Sequence, residues 1–495
     1  MKFTLKRMGV DTHKESVAFL DDDDLLCRCL GLHPMDRIEI SAGERRLLAM
    51  LNAVEGTLVP RGTLGLSNYA FTKLDLPAGT DVEVKPAEPP ASMDLLRAKM
   101  AGKRLSQDDF GNIVSDIVEG RYSRIELTAF VVAATINSLD DDEVYALIRA
   151  MVENGEQLHF DSPIVADKHS IGGIPGNRTT PIVASIVAAA GLLIPKTSSR
   201  AVTSPAGTAD TMEVLMNVEL SIERSYEVVK KENGCLIWGG ALNLAPADDL
   251  IIRIEHPLNI DSESLMISSI LAKKKAAGST HIVLDIPVGP GSKAPTRKKA
   301  DHLKARFEQV ARRLGLKIRV LLTDGSQPIG HGVGPVLEAQ DVLKVLRNEP
   351  DAPADLREKS LYLAGELLEL TGKVAPGHGR QRAQALLQSG RAYEKFERIR
   401  NLQGRRELSE PGQDTQEIRA EKSGRVRAIH NKVIARIAKL AGAPRDPGAG
   451  VYVFKHVGDP VERGESLLRV HAESREPLNF AMRFWEEHRN AVGIG

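Results

Sequence analysis

A chain of 495 residues and 53.9 kDa, 42% apolar and 27% charged, has enough apolar side chains for several separate cores. At roughly 100–200 residues per domain it predicts three or four domains. Lys plus Arg number 66 and Asp plus Glu 66, which leaves no net field to draw nucleic acid or an anionic membrane, so neither is expected as a partner. Three cysteines, Cys27, Cys29 and Cys235, are too few for a disulfide framework and offer no CxxC zinc spacing, which fits a reducing cytoplasm.

The opening run MKFTLKRMGVDTHKES lacks the continuous apolar core of a secretory signal. Residues 1–84 hold short alternating segments, RIEIS (37–41) and DVEVKP among them, between Gly and Pro turns, and predict a small β-rich N-terminal domain. Within it GERRLLAMLNAVEG (43–56) reads as a helix, and DDDD (21–24) as a solvated turn. The proline-rich KPAEPPASMD (85–94) suits a linker. Apolar residues then recur at helical spacing to Gly155, with caps expected near Ser106 and Asp108 and at Ser138. This gives a helical domain over residues 95–157, which a second helical block over 247–277 is expected to join in space.

Residues 158–246 and 278–410 repeat the order strand, glycine loop, helix, the signature of an α/β domain with a largely parallel sheet. PIVASIVAAAGLLIP (181–195) is short of the roughly 20 residues that span a bilayer and reads as a buried helix. Leu303, Phe307, Val310 and Leu314 make one apolar stripe on a later helix. GHGVGPVLEAQDVLKVLRN (330–348) reads as scaffold, with Glu338 and Asp341 on its polar side. Residues 416–495 return to short strands and Gly turns and predict a C-terminal α+β domain with a barrel-sandwich texture. Lys455, followed by His456, lacks the Met-Lys-Met context of a biotinyl or lipoyl carrier. The fold class is therefore α/β and multidomain.

The strongest chemical signal is DKHSIGGIPGNRTT (167–180), between an apolar strand and an apolar helix. It gathers a cation, hydroxyls and bare backbone N–H groups at a helix N-terminus, where an anion is favoured. Neither Gly-x4-Gly-Lys-Ser/Thr nor Gly-x-Gly-x-x-Gly is present, so the ligand expected is phosphate rather than a P-loop nucleotide or dinucleotide. About 20 residues on, KTSSRAVTSPAGTADTMEVL (196–215) crowds Ser199, Arg200, Thr203, Ser204 and Thr208 around a Pro-Ala-Gly turn. A second hydroxyl-rich loop at an adjacent strand end can enclose the same anion. Ser269 and Lys273 lie four apart, on one helix face.

These two blocks resemble the signatures KHSTGG and ISGRG…GGT of the thymidine and pyrimidine-nucleoside phosphorylase family. The variant KHSIGG with SSRAVTSPAGT, and the extra N-terminal domain, resemble its longer type 2 branch, which also holds archaeal AMP phosphorylases. The resemblance runs from about residue 95 to the C-terminus. It implies reversible phosphorolysis of an N-glycosidic bond by inorganic phosphate, with no metal or organic cofactor, in a homodimer or larger homo-oligomer.

Carried over position by position, the resemblance assigns phosphate to Lys168, Ser170, Ser199 and Thr208, and to Thr180 across one inserted residue. It assigns a pyrimidine base to Ser269 and Lys273, with Arg253 one residue off the usual spacing, and places His169 beside sugar and base, to protonate or hydrogen-bond the leaving pyrimidine. The AMP-cleaving members align instead through Gly173, the run Ser199, Arg200, Ala201, Val202, Thr203 and Ser204, then Thr208, Ser269 and Lys293, with Asp261 as proton donor to the purine. A helix N-cap is the plain alternative for Asp261. A substrate 5′-phosphate would need cations, for which Arg178, Arg200 and Lys293 are the candidates. The expected activity is thymidine phosphorolysis, with AMP phosphorolysis as the alternative. A related phosphoribosyltransferase is disfavoured because no acidic cluster for a metal diphosphate stands out, and the non-enzymatic alternative is a phosphate- or nucleotide-binding regulator. With phosphate on the α/β domain and base on the helical domain, turnover is expected to need closure about residues 155–165 and 240–250.

Overall fold

The computed structural model describes residues 1–13, 15–22, 32–201 and 204–495. Cys27, Cys29, part of DDDD, Val202 and Thr203 lie outside the described residues. The described chain divides into two compact units, residues 1–97 with 115–127, and residues 98–114 with 128–495. No helix among the described residues is long and apolar enough to cross a membrane.

In the first unit, β1 (Lys2–Arg7), β2 (Val17–Asp21), β3 (Arg37–Ala42), β4 (Arg45–Val54), β5 (Thr63–Leu66) and β6 (Asp81–Pro86) close a barrel in the order β1-β5-β2-β4-β3-β6. β1 with β5 and β2 with β4 pair in parallel, the other neighbours antiparallel. The segment expected as a helix over 43–56 is strand β4, a correction with a clear cause. Its Leu- and Ala-rich composition favours helix, but pairing to β2 on one side and β3 on the other buries Leu47, Ala49 and Leu51 at the two-residue period of a sheet. Within the linker, Ser92 is held by Asp116, which accepts from its N–H at 3.0 Å and its hydroxyl at 2.7 Å.

In the second unit the helix Asp141–Glu153 starts at Asp140, not at the expected Ser138: Asp140 and Glu143 form a reciprocal capping box. Helix Glu263–Ala276 packs on this helix, and the Ser264 hydroxyl donates to the Leu139 carbonyl at 3.1 Å, so the two helical blocks do meet. Beside them lie β7 (Ala166–Ser170), β8 (Ile194–Ser198), β9 (Gly234–Trp238), β10 (His281–Val288) and β11 (Lys317–Asp324). β11-β10-β7 and β8-β9 are all parallel, and one parallel bridge, Val165 to Leu193, joins the two sets. Parallel strands deliver their following loops to one edge, so the loops after β7, β8 and β10 come together there. The helix Thr179–Ala189, buried from Thr179 to Ala188, and its neighbours form the core behind that edge.

β12 (Gly332–Val333) leaves the α/β region and pairs with β15 (Gly450–Val453) of the C-terminal sheets. Asn431 Nδ2 donates to the Gly325 carbonyl at 3.0 Å, which sets this α+β region against the loop after β11.

Candidate active site

β7 ends in Lys168, His169 and Ser170. Lys168 is 1% exposed, and its Nζ donates to Thr179 Oγ1 at 2.7 Å and to Thr180 Oγ1 at 3.2 Å in the first turn of the following helix. Burial brings the Lys168 pKa down to about 7, with Asp285 opposing the fall and Lys359 and Arg178 adding to it. Burial, and then the charges of Lys274, Lys196, Lys168 and Lys273, hold the His169 imidazole well below its usual pKa, so it stands neutral.

The glycine loop between them is fixed by its surroundings. Gly176 has φ +71°, and a Cβ there would lie 2.1 Å from the Ile329 carbonyl oxygen, so no other residue fits. Asn177 Nδ2 donates to Ser170 Oγ at 3.3 Å and to Asp285 Oδ2 at 3.4 Å. Asp285 is fully buried on β10, takes a hydrogen bond from Thr323 at 2.5 Å and pairs with Lys359 at 3.1 Å. Burial would raise its carboxyl pKa, but Lys359 and Lys168 hold it below the usual range. A second buried carboxylate, Asp167, pairs with Lys196 at 3.2 Å and Lys274 at 2.8 Å under the same sheet edge.

After β8, Ser199 is exposed, and its carbonyl accepts from the Ala209 N–H. Asp210 closes the loop, accepting from the N–H groups of Ala201 at 2.6 Å and Gly207 at 2.8 Å, while Ser204 donates to the Ala206 carbonyl. Thr208 opens the next helix, half-buried, and its hydroxyl accepts from Arg178 Nη1 at 2.8 Å. Arg178 also donates to the Ala206 carbonyl at 3.0 Å and to Glu338 Oε2 at 2.5 Å. Glu338 and Asp341, expected on a polar face, are 1% and 4% exposed: Glu338 faces the second loop, and Asp341 accepts from the N–H groups of His331 and Gly332.

The two arginines proposed for a 5′-phosphate are thus already engaged. Arg200 pairs with Glu213, with Glu219 at 2.9 Å and with Asp210 at 3.4 Å, and stacks over Trp238 at 4.7 Å. Arg178 is committed to Glu338 and the second loop.

On the helical side, Ser269 Oγ donates to Asp248 Oδ2 at 2.8 Å and Lys273 Nζ pairs with the same oxygen at 2.6 Å, with Asp249 at 3.4 Å. One buried carboxylate therefore holds both predicted base contacts side by side. Burial would lower the Lys273 pKa, and Asp248 and Asp249 raise it above its usual value, so the ammonium stays charged. Arg253 is exposed, with no hydrogen bond or ion pair among the described residues. Asp261 is not an N-cap: Ser262 caps the helix, and Asp261 pairs with Lys293 at 3.3 Å. Lys293 in turn adjoins the first loop, since a Cβ on Gly173 would sit 3.1 Å from the Lys293 N. Glu255, which the sequence did not mark, has its carboxyl pushed up to about 7 by burial and by Asp248, with Lys293 opposing.

The arrangement combines an anion-binding loop pair, a neutral imidazole and a charged lysine beside a hydroxyl. It can hold a tetrahedral oxyanion and stabilise negative charge that develops on a departing heterocycle.

Three family models match the chain in order. They are a glycosyl transferase family helical bundle domain over residues 93–155, a glycosyl transferase family α/β domain over residues 162–393, and a pyrimidine nucleoside phosphorylase C-terminal domain over residues 425–488. A Methylococcus capsulatus protein is 49% identical over 100% of this chain and 96% of its own length. An Albidiferax ferrireducens protein is 50% identical over 97% of this chain and 93% of its own. A Legionella pneumophila protein is 46% identical over 99% and 95%. All three are named "Putative thymidine phosphorylase". Among solved structures, anthranilate phosphoribosyltransferase from Thermus thermophilus superposes with TM-score 0.54 at 20% identity, covering 63% of this chain and 99% of the other, a likeness of fold.

Proposed function

Because the chain belongs to the thymidine and pyrimidine-nucleoside phosphorylase family, we propose that it is a pentosyltransferase that cleaves thymidine with inorganic phosphate, giving thymine and 2-deoxyribose 1-phosphate. The observation that carries this reading is the pairing of two ready-made subsites. Lys168, Ser170, Thr180 and Thr208 are tied to one helix N-terminus, and Ser269 and Lys273 share one carboxylate.

Phosphate held by Lys168, Ser170, Thr180, Ser199 and Thr208 attacks the anomeric carbon from the face opposite the base. The C–O bond forms as the C–N bond breaks, and the electron pair of the broken bond goes to the ring nitrogen of thymine. Lys273, kept charged by Asp248 and Asp249, neutralises the pyrimidine anion. Ser269, Arg253 and the neutral His169 position its oxygens. Phosphate is the co-substrate, and the proposed steps call on no metal or organic cofactor. The protein works in the cytoplasm as a homodimer or larger homo-oligomer.

The arginines bear on the alternative. Of the three cations named for a 5′-phosphate, Arg178 and Arg200 are bound by carboxylates and Lys293 is paired with Asp261, which supports a nucleoside over AMP. For AMP speak the release of Asp261 from any capping role and its ion pair with Lys293, a residue whose backbone borders Gly173. Replacing Lys168 by Ala tests the proposal: thymine release should vanish while the variant stays folded, and retained phosphate-dependent release would remove Lys168 from the phosphate site.

A further inference from the structure

The run Asn177, Arg178, Thr179, Thr180 reaches every anion-binding hydroxyl of the first loop and one of the second. Asn177 touches Ser170, Arg178 touches Thr208, and Thr179 and Thr180 both touch Lys168. The chemistry of these partners sets the direction of each hydrogen bond. A guanidinium donates and never accepts, and Lys168 does the same in its ammonium form, the form a bound anion favours, so Thr208 Oγ1 and, with the anion in place, Thr180 Oγ1 are acceptors in these contacts. The Asn177 amide is oriented by Asp285, a carboxylate that only accepts, so the group facing Ser170 is also a donor. Each hydroxyl therefore receives a hydrogen bond from behind and keeps its one proton for a group in front. An acceptor-only anion is the ligand that uses three such protons.

We propose that Asn177 and Arg178 are positioning residues that polarise Ser170 and Thr208 toward phosphate, with Asp285 and Glu338 as their anchors. The proposal deepens the phosphorolysis reading and rests on it for the identity of the anion. Arg178 is 8% exposed and aimed at Thr208 by its bonds to Glu338 and the Ala206 carbonyl, so it acts through Thr208. Glu338 fixes the guanidinium from a third element, the helix Pro335–Leu346, and also accepts from Thr211 Oγ1 at 3.1 Å and, at 3.3 Å, from the Gly334 N–H. Arg178 thereby locks the loop after β7 to the loop after β8, the two halves of one anion site.

The test is a double-mutant cycle read by calorimetric titration with inorganic phosphate. Arg178→Lys keeps a charge beside Glu338 but cannot span three acceptors, so it should fold and bind phosphate about tenfold or more weakly, as expected for a lost hydrogen bond around a charged ligand. In a Thr208→Val background the same change should alter affinity by less than about twofold, because the hydroxyl through which Arg178 acts is gone. Asn177→Ala should behave the same way against Ser170→Ala. In turnover, the phosphate KM should rise with the thymidine KM nearly unchanged, a split that general loosening of the fold does not produce. Equal, additive losses in both backgrounds, or wild-type phosphate affinity in Arg178→Lys, would overturn the proposal. Phosphate binding with the predicted coupling but no cleavage of thymidine would instead overturn the substrate reading and leave this one standing.

Discussion

Among single side chains, the most consequential state is that of Lys168. Buried and with its pKa near 7, it is largely neutral in the free protein at pH 8 and largely charged at pH 6. A bound phosphate dianion favours the ammonium and raises that pKa, so binding at pH 8 takes up a proton, approaching one per phosphate, while at pH 6 Lys168 contributes none. Calorimetry in buffers of different ionisation enthalpy reads this number directly; the same binding heat in every buffer at pH 8 would show that Lys168 is already charged. Asp261 poses the second test. It is paired with Lys293 and does not cap a helix; if it is the acid for a purine, Asp261→Asn should lower any adenine release from AMP at least tenfold more than thymine release from thymidine. Equal losses would mean that it only orders the Lys293 loop. Every group assigned to phosphate or base was visible from the sequence because each lies inside a compact motif. Asp248, Asp285, Glu338 and Lys359 were not recognised as its supports, because they meet their partners only after folding: Lys359 reaches Asp285, and Glu338 reaches Arg178, across long stretches of chain. Glu255 escaped for the same reason, its raised pKa being a property of the pocket and not of the residue.

At the level of helices and strands, the parallel order β11-β10-β7 beside β8-β9 explains why motifs distant in sequence share one edge. The alternation of apolar strands, glycine loops and helices announced this sheet. The barrel strand β4 was hidden because its residues suit a helix and only its neighbours decide otherwise. The segments expected as hinges run side by side: the Glu156 N–H donates to the Asn243 carbonyl at 3.1 Å, and a Cβ on Gly155 would lie 2.3 Å from the Leu244 carbonyl oxygen. No sequence periodicity marks such a crossing. The helix Pro246–Leu258 contributes Asp248, which holds Ser269 and Lys273, to the proposed base subsite. Replacing Asp248 by Asn removes the charge that fixes Lys273 and Ser269, and steady-state kinetics should show the thymidine KM rising tenfold or more while the phosphate KM stays within about twofold. An unchanged thymidine KM would detach this helix from base recognition.

For the protein in its entirety, the family is settled by full-length relatives at 46–50% identity, whereas the choice of nucleoside rests on which cations remain free. Composition gave no reason to expect polyanion partners and said nothing of substrate, and the paired motifs suggested the chemistry. The carboxylates that occupy Arg178 and Arg200 are what tip the reading toward a substrate without a 5′-phosphate. The decisive measurement is therefore base release by the purified protein from thymidine and from AMP, side by side, with and without inorganic phosphate. Thymine release that requires phosphate, with little adenine from AMP, is the predicted result. Phosphate-dependent adenine release from AMP, with thymidine left intact, would contradict it and make Asp261 and Lys293 the centre of a nucleotide phosphorylase.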